Sequence, residues 1–123
     1  MAVIIAPAEA THDLGDVRFT SLATPSRGSA ETSVWRVEIE PSTPATPHRL
    51  TREEVFVVLA GRAHVQLDST EATASTGDAI VVPAGTEFAL SNAGNEVLRL
   101  LCCLPVGGQA IAGGATFIPP WAE

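Results

Sequence analysis

Short apolar runs that alternate with polar residues recur along the whole chain, separated by Gly, Pro and small polar residues. In TSVWRVEIE, Trp35, Val37 and Ile39 fall on one face and Val34, Arg36, Glu38 and Glu40 on the other. That period of two is the mark of a half-buried strand. DVRFTSLA repeats it, with Val17, Phe19 and Ser21 set against Arg18, Thr20 and Leu22. EEVFVVL, from Glu53 to Leu59, is β-branched and aromatic, which favours a strand. RAHVQLD alternates again, and Gly61 between these two runs predicts a hairpin. Strands are also expected at Val3 to Ile5, Thr70 to Ser75, Ala79 to Val82, Phe88 to Ser91 and Val97 to Leu104. PSTPATP carries three prolines and argues strongly against a helix. Thr24 to Ser29 is a loop by composition, GGQAIAGGA reads as flexible, and Trp121 and Phe117 read as anchors for the C-terminal segment. About eight to ten short strands at this spacing predict an all-β sandwich or barrel.

The 123 residues suffice for one domain and are too few for two separate cores. With 46% hydrophobic and 17% charged residues the chain is globular in composition. A net charge of −7 without a basic stripe argues against a nucleic-acid partner. No run reaches the roughly 18 apolar residues of a membrane span. The opening MAVIIAPAEA has no basic lead-in and too short an apolar run for a secretory signal, so a cytoplasmic protein is expected. The chain contains no Lys and no Tyr, which removes lysine Schiff-base chemistry and phenolic acid–base chemistry. The remaining candidates are three His, the carboxylates and two Cys. Cys102 and Cys103 are adjacent, so strand alternation sends them to opposite faces and a disulfide between them would be strained. They are read as free thiols, one of them inward.

Two stretches stand apart: PHRLTREEVFVVLAG, from Pro47 to Gly61, and GDAIVVPAGTEFALSN, from Gly77 to Asn92. Together they resemble the two signature motifs of the cupins. His48, Glu54 and Gly61 fit the first motif, with Leu50 in the place of its second His. Gly77, Pro83, Gly85 and Asn92 fit the second, with Phe88 in the place of its His. The resemblance covers about residues 32 to 105. It implies an all-β cupin jelly-roll barrel of two packed antiparallel sheets, a single domain over residues 1–123 on which the N-terminal strands and the C-terminal tail pack. It also implies pairing of two chains, for which the apolar stretch VIIA offers a surface. Asn92 takes a structural place. In the family the two His of the first motif, its Glu and the His of the second hold one metal ion. Here only His48 and Glu54 remain of that set, so no cofactor is expected beyond a weakly held divalent metal.

Residues two apart on a strand share a face, so His48, Leu50, Glu54, Phe56 and Val58 are expected to point one way, with Phe88 joining them from another strand. The expected pocket is apolar, with His48 and Glu54 catalytic and Arg36, Leu50, Phe56 and Phe88 binding substrate. Arg36 is either a carboxylate clamp facing the cavity or a surface residue, and His48 either a catalytic group or a structural partner of Glu54. His12 and His64 are expected at the surface. Three functions compete. One is a metal-independent acid–base enzyme, an isomerase, cyclase or lyase acting on a small organic molecule. The others are a non-catalytic barrel that binds a small ligand, and a metal-dependent oxygenase, against which the two missing imidazoles count.

Overall fold

Residues 2–123 are described by a computed structural model and form twelve short strands and two single-turn 3-10 helices. Six strands make one antiparallel sheet. They are β1 (His12–Asp13), β2 (Val17–Ala23), β3 (Thr32–Ile39), β5 (Glu54–Ala60), β8 (Ala79–Val82) and β10 (Leu98–Pro105), in the order β1-β2-β3-β10-β5-β8. Three more, β6 (Arg62–Leu67), β7 (Thr70–Ser75) and β9 (Phe88–Asn92), pair in the order β7-β6-β9. The last three are β4 (Arg49–Leu50), β11 (Ala110–Ala112) and β12 (Ala115–Phe117), in the order β12-β11-β4. The expectation of two sheets therefore becomes three. The two small ones are joined at one point, where His48 N–H donates to the Phe88 carbonyl at 3.0 Å and Phe88 N–H donates to the His48 carbonyl at 2.9 Å. Through that bridge the second layer also runs across six strands. The proline-rich stretch ahead of His48 cannot sustain a ladder, which is why the join is a single bridge.

Alternation delivers the core. On β3, Trp35, Val37 and Ile39 are buried, while Val34, Arg36 and Glu38 are only half-buried on the other face. On β10, Leu98, Leu100, Cys102 and Leu104 are buried by the same period of two. They pack with Phe56 and Val58 of β5, Val82 of β8 and, from the second layer, Leu50, Ala63, Val65 and Phe88. Phe56 meets Phe88 across the layers at a centroid distance of 5.9 Å.

Several expectations are corrected. Gly61 is not the turn of a hairpin: β5 pairs with β8 and β10, whereas β6 pairs with β7 and β9. It is the corner at which the chain leaves one layer for the other. The hairpin lies one strand later, through Asp68 and Ser69, with Asp68 at φ 50°. Val3 to Ile5 forms no strand; that segment is held instead by Arg27, whose guanidinium donates to the Ile5 carbonyl at 2.8 Å. Within the Thr24 to Ser29 loop, Pro25–Arg27 winds into one 3-10 turn. GGQAIAGGA is an ordered hairpin, β11 to β12, turned at Gly113 and Gly114, which both take positive φ. A Gly-Gly pair is suited to such a turn, and the short alternating runs beside it supply the strands.

The C-terminal segment ends in a 3-10 turn, Pro120–Ala122, docked on β2 and β3. Ser33 Oγ donates to the Ala122 carbonyl at 2.7 Å, Ser21 Oγ to the Trp121 carbonyl at 2.8 Å, and the Trp121 ring stacks on Phe19 at 3.5 Å. Trp121 is thus the anchor. Phe117 is not, being 41% exposed.

The corner at Gly61 can be tested. Gly61 has φ +87°, and a Cβ there would lie 3.2 Å from both Leu98 Cα and the Val97 carbonyl oxygen. Gly77 has a similar φ of +92°, but a Cβ there would meet nothing within 4 Å. Gly77→Ala should therefore show the backbone strain alone, about 1–2 kcal/mol. Gly61→Ala should lose clearly more in urea unfolding, because backbone atoms of the neighbouring strand must give way. Equal losses would mean that the close approach is relieved without cost.

Candidate functional site

A cavity of about 330 Å³ lies between the layers. This is the size of a site for a small organic molecule. Its floor is buried and nearly all apolar: Trp35, Val37, Leu50, Phe56, Phe88 and Leu100, with Glu54 among them. Leu14, Pro44, Thr46 and Phe117 line it too and are exposed, so they form the rim. Apart from Glu54 and His48, the polar side chains of the wall are Thr43 and Thr46.

Glu54 is the first residue of β5, and its even-numbered position puts it on the inward face with Phe56 and Val58. Glu53, one place earlier, is exposed. Glu54 is 4% exposed, and among the described residues no hydrogen-bond partner reaches its carboxyl group. Burial in this apolar setting pushes its pKa from 4.5 up to about 8. At neutral pH it is chiefly the uncharged acid. Cys102 and Cys103 on β10 are free thiols, one fully buried and one half-buried. Their pKa values are raised by burial and further by the nearby Glu54.

His48 enters the cavity wall from the segment ahead of β4 and keeps partial solvent contact. Its Nδ1 lies 3.0 Å from the Thr46 carbonyl oxygen, which can only accept, so in the neutral ring Nδ1 carries the proton and Nε2 the lone pair. Its ring leans on Phe88 at 4.2 Å. No ion pair joins His48 to Glu54; the ion pairs among the described residues lie elsewhere, His64 with Glu71 at 3.4 Å being one. The structural pairing weighed for His48 is therefore not made, although both residues face one cavity.

The other expected site residues divide. Leu50, Phe56 and Phe88 line the cavity with His48 and Glu54. Arg36 does not. It sits between Trp35 and Val37 on β3, and since both of those face the cavity, Arg36 points to the opposite side of the sheet. The carboxylate-clamp reading of Arg36 is corrected by that parity. Asn92 closes β9, its Nδ2 donating to the carbonyls of Ile39 at 2.9 Å and Glu96 at 2.7 Å. Most of the lining residues escaped the sequence reading, among them four aromatic ones: Phe19, Trp35, Phe117 and Trp121. Alternation had put Phe19 and Trp35 on one face of their strands; what it lacked was that those faces of β2 and β3 form the cavity wall.

The cupin domain family matches residues 35–104. The chain belongs to the cupins. A curated relative, an uncharacterized protein of Methanocaldococcus jannaschii, is 38% identical over 53 residues, 43% of this chain. The match spans only 42% of that protein's length. Among solved structures, hazelnut vicilin from Corylus avellana superposes with a TM-score of 0.75 at 22% identity, over 90% of this chain and 35% of that one. The polyketide cyclase RemF of Streptomyces resistomycificus superposes with a TM-score of 0.67 at 20% identity, over 83% of this chain and 73% of that one. At these identities the structures share the fold. Of the four places that hold metal in the cupin motifs, Leu50 and Phe88 fill two with buried hydrocarbon. Among the described residues no three His, Cys, Asp or Glu side chains gather as a metal-holding group. Two ligands alone do not make the sites known for zinc or non-haem iron. The residues present do not fit a resident metal.

The Glu54 carboxyl makes stability depend on pH. Between pH 4.5 and about 8 the unfolded chain has lost this proton while the folded chain keeps it. Its contribution is therefore complete below pH 4.5, declines as pH rises and levels off above about pH 8. Glu54→Gln removes this slope and should be the more stable protein at pH 8, by at most about 5 kcal/mol. Urea midpoints at pH 5 and pH 8 check it: the difference between the two proteins must widen with pH. A constant difference would mean that the carboxyl is solvated in the folded state.

Proposed function

We propose that the two layers close as a jelly-roll barrel around the cavity and that the cavity takes one small, mostly apolar organic molecule. Glu54 acts on that molecule as acid and His48 as base, without a metal. The observation that carries the reading is the Glu54 carboxyl itself, buried on an apolar cavity wall with no protein hydrogen-bond partner. Its oxygens are not sealed among protein atoms but open on the cavity, where a ligand can supply the hydrogen bonds that the protein does not. With its pKa near 8, Glu54 can give a proton at neutral pH, and His48, whose Nε2 carries the lone pair, can take one. The reaction class is isomerisation, cyclisation or elimination. RemF shares the fold alone, so cyclisation rests on the cavity and not on that likeness.

The alternative is a binding barrel without turnover. It is favoured by the absence of an ion pair or hydrogen bond between His48 and Glu54 and by the small number of polar groups in the wall. One experiment separates the two. N-phenyl-1-naphthylamine, a neutral apolar dye, should bind in the cavity with a rise in fluorescence. Deuterium exchange at the α-carbons of 2-tetralone needs an acid at oxygen and a base at carbon within one apolar site. The protein should accelerate it, and His48→Ala and Glu54→Gln should each reduce that acceleration by at least about a hundredfold. Dye binding without exchange favours the binding barrel; no dye binding defeats both.

Pairing of two chains completes the proposal. Val3 and Ile5 are 82% and 79% exposed, and Leu14 near the rim is 66% exposed. Apolar surface of this kind gains by being covered. Light scattering at micromolar concentration should give twice the mass of one chain, and Val3→Ser with Ile5→Ser should shift it toward the single-chain mass. A monomeric parent protein would end this part of the proposal.

A further inference from the structure

We infer that the cavity selects a small organic cation, an ammonium group on an apolar body, seated among aromatic rings with its charge on the Glu54 carboxylate. The inference rests on the reading that the cavity is a site for a small, mostly apolar molecule. It adds the sign of the ligand's charge and deepens the binding-barrel reading, because a Glu54 carboxylate held by an ammonium group is a countercharge and no longer an acid.

The aromatic residues carry the first part. The chain has four Phe, two Trp and no Tyr. All six, Phe19, Trp35, Phe56, Phe88, Phe117 and Trp121, line this one cavity. A purely greasy ligand would be served equally by aliphatic walls, in which the chain is rich. What rings add is the negative potential of their faces, which draws a cation lying within about 6 Å of a ring centre, most strongly where water is excluded.

Charge carries the second part. Glu54 is 4% exposed, faces the cavity and has no hydrogen-bond partner among the described residues. The chain has seven Arg and no Lys, yet no Arg lines the cavity. Among the described residues His48 is therefore the only lining side chain able to become positive. An anionic ligand would find aromatic faces and a carboxyl group. A cation would find its countercharge, and the net charge of −7 favours its approach.

Proton balance follows from the groups that face Glu54. These are His48 from the segment ahead of β4 and Cys102 from the inward face of β10; Cys103 lies nearby on the opposite face of that strand, and the neighbouring edge strand β8 places Val82 opposite Glu54. In the free protein burial keeps Glu54 protonated at pH 7. A ligand that arrives as the ammonium ion displaces that proton to solvent. A ligand that arrives as the neutral amine takes the proton onto its nitrogen, and none is released. Either way the product is ammonium beside carboxylate. Affinity for the ammonium form should rise about tenfold per pH unit up to about pH 8 and then level off.

Three probes of similar size and different charge test this: 2-phenylethylamine, 2-phenylethanol and 3-phenylpropanoate. Each is titrated calorimetrically at pH 7 in phosphate and in Tris, whose ionisation heats differ, and by displacement of N-phenyl-1-naphthylamine. The amine should bind at least about tenfold more tightly than the alcohol, and the carboxylate weakest. The two buffers should report release of nearly one proton with the amine and none with the alcohol. Glu54→Gln should bring the ratio of amine to alcohol affinity close to one. Alcohol binding as tight as the amine, or amine binding without proton release, overturns the inference and leaves the cavity reading standing. So does failure of the amine where the dye binds. If neither the dye nor any probe binds, the cavity reading fails as well.

Discussion

The second layer is joined where His48 and Phe88 exchange two backbone hydrogen bonds, reinforced by the Gly85 N–H donating to the Leu50 carbonyl at 2.8 Å and by Arg49 donating to Glu87 at 3.0 Å. Apart, β4 with the β11–β12 hairpin and β9 with its neighbours are patches of three strands, each too small to cover the apolar face of the six-stranded sheet. The bridge also sets the site. It places the His48 ring against Phe88, and Phe88 against Phe56 of the facing layer. Leu50 follows His48 by two residues and so turns to the same interior. One short pairing thus fixes both how the layers join and what the cavity wall is made of.

Around that bridge the chain runs against its own local pattern at several points. Gly61 separates two alternating runs, which in sequence has the form of a hairpin. A tight turn and a corner between layers can use the same residue, since both need positive φ; the distinction is made by partners far along the chain, β10 and β9. The glycine-rich tail has the composition of a linker, yet Gly113 and Gly114 form a turn and β11 finds an edge on β4. The all-β class, most of the longer strands and the shared face of Glu54, Phe56 and Val58 on β5 were legible, because a period of two reports which residues share a face. Arg36 was ambiguous only until the cavity was located on the Trp35 side of its strand. The contribution of Phe19, Phe117 and Trp121 was not legible, since it depends on how the C-terminal turn docks on β2.

The six aromatic rings divide their work between stability and the cavity. Trp121 stacked on Phe19 fastens the last turn of the chain, and the serine bonds to the carbonyls of Trp121 and Ala122 fix its position. The same two rings are cavity wall. Closure of the C-terminal segment and completion of the cavity are therefore a single packing event. A chain without its last turn would lose wall as well as stability.

Glu54 and the two substituted ligand places belong to one electrostatic account. In the cupin pattern a metal ion beside the glutamate offsets the cost of burying its charge. With Leu50 and Phe88 at two of the ligand places, hydrocarbon surrounds the carboxyl and no Arg lies in the wall to replace the ion. Such a group can stay protonated, as burial makes it, or meet a positive charge brought from outside. A purely structural role would be served as well by Gln or Leu, without a cost that grows with pH. The acid is informative because the protein leaves its charge unanswered. On the proposed reading, the partner that answers it comes with the ligand.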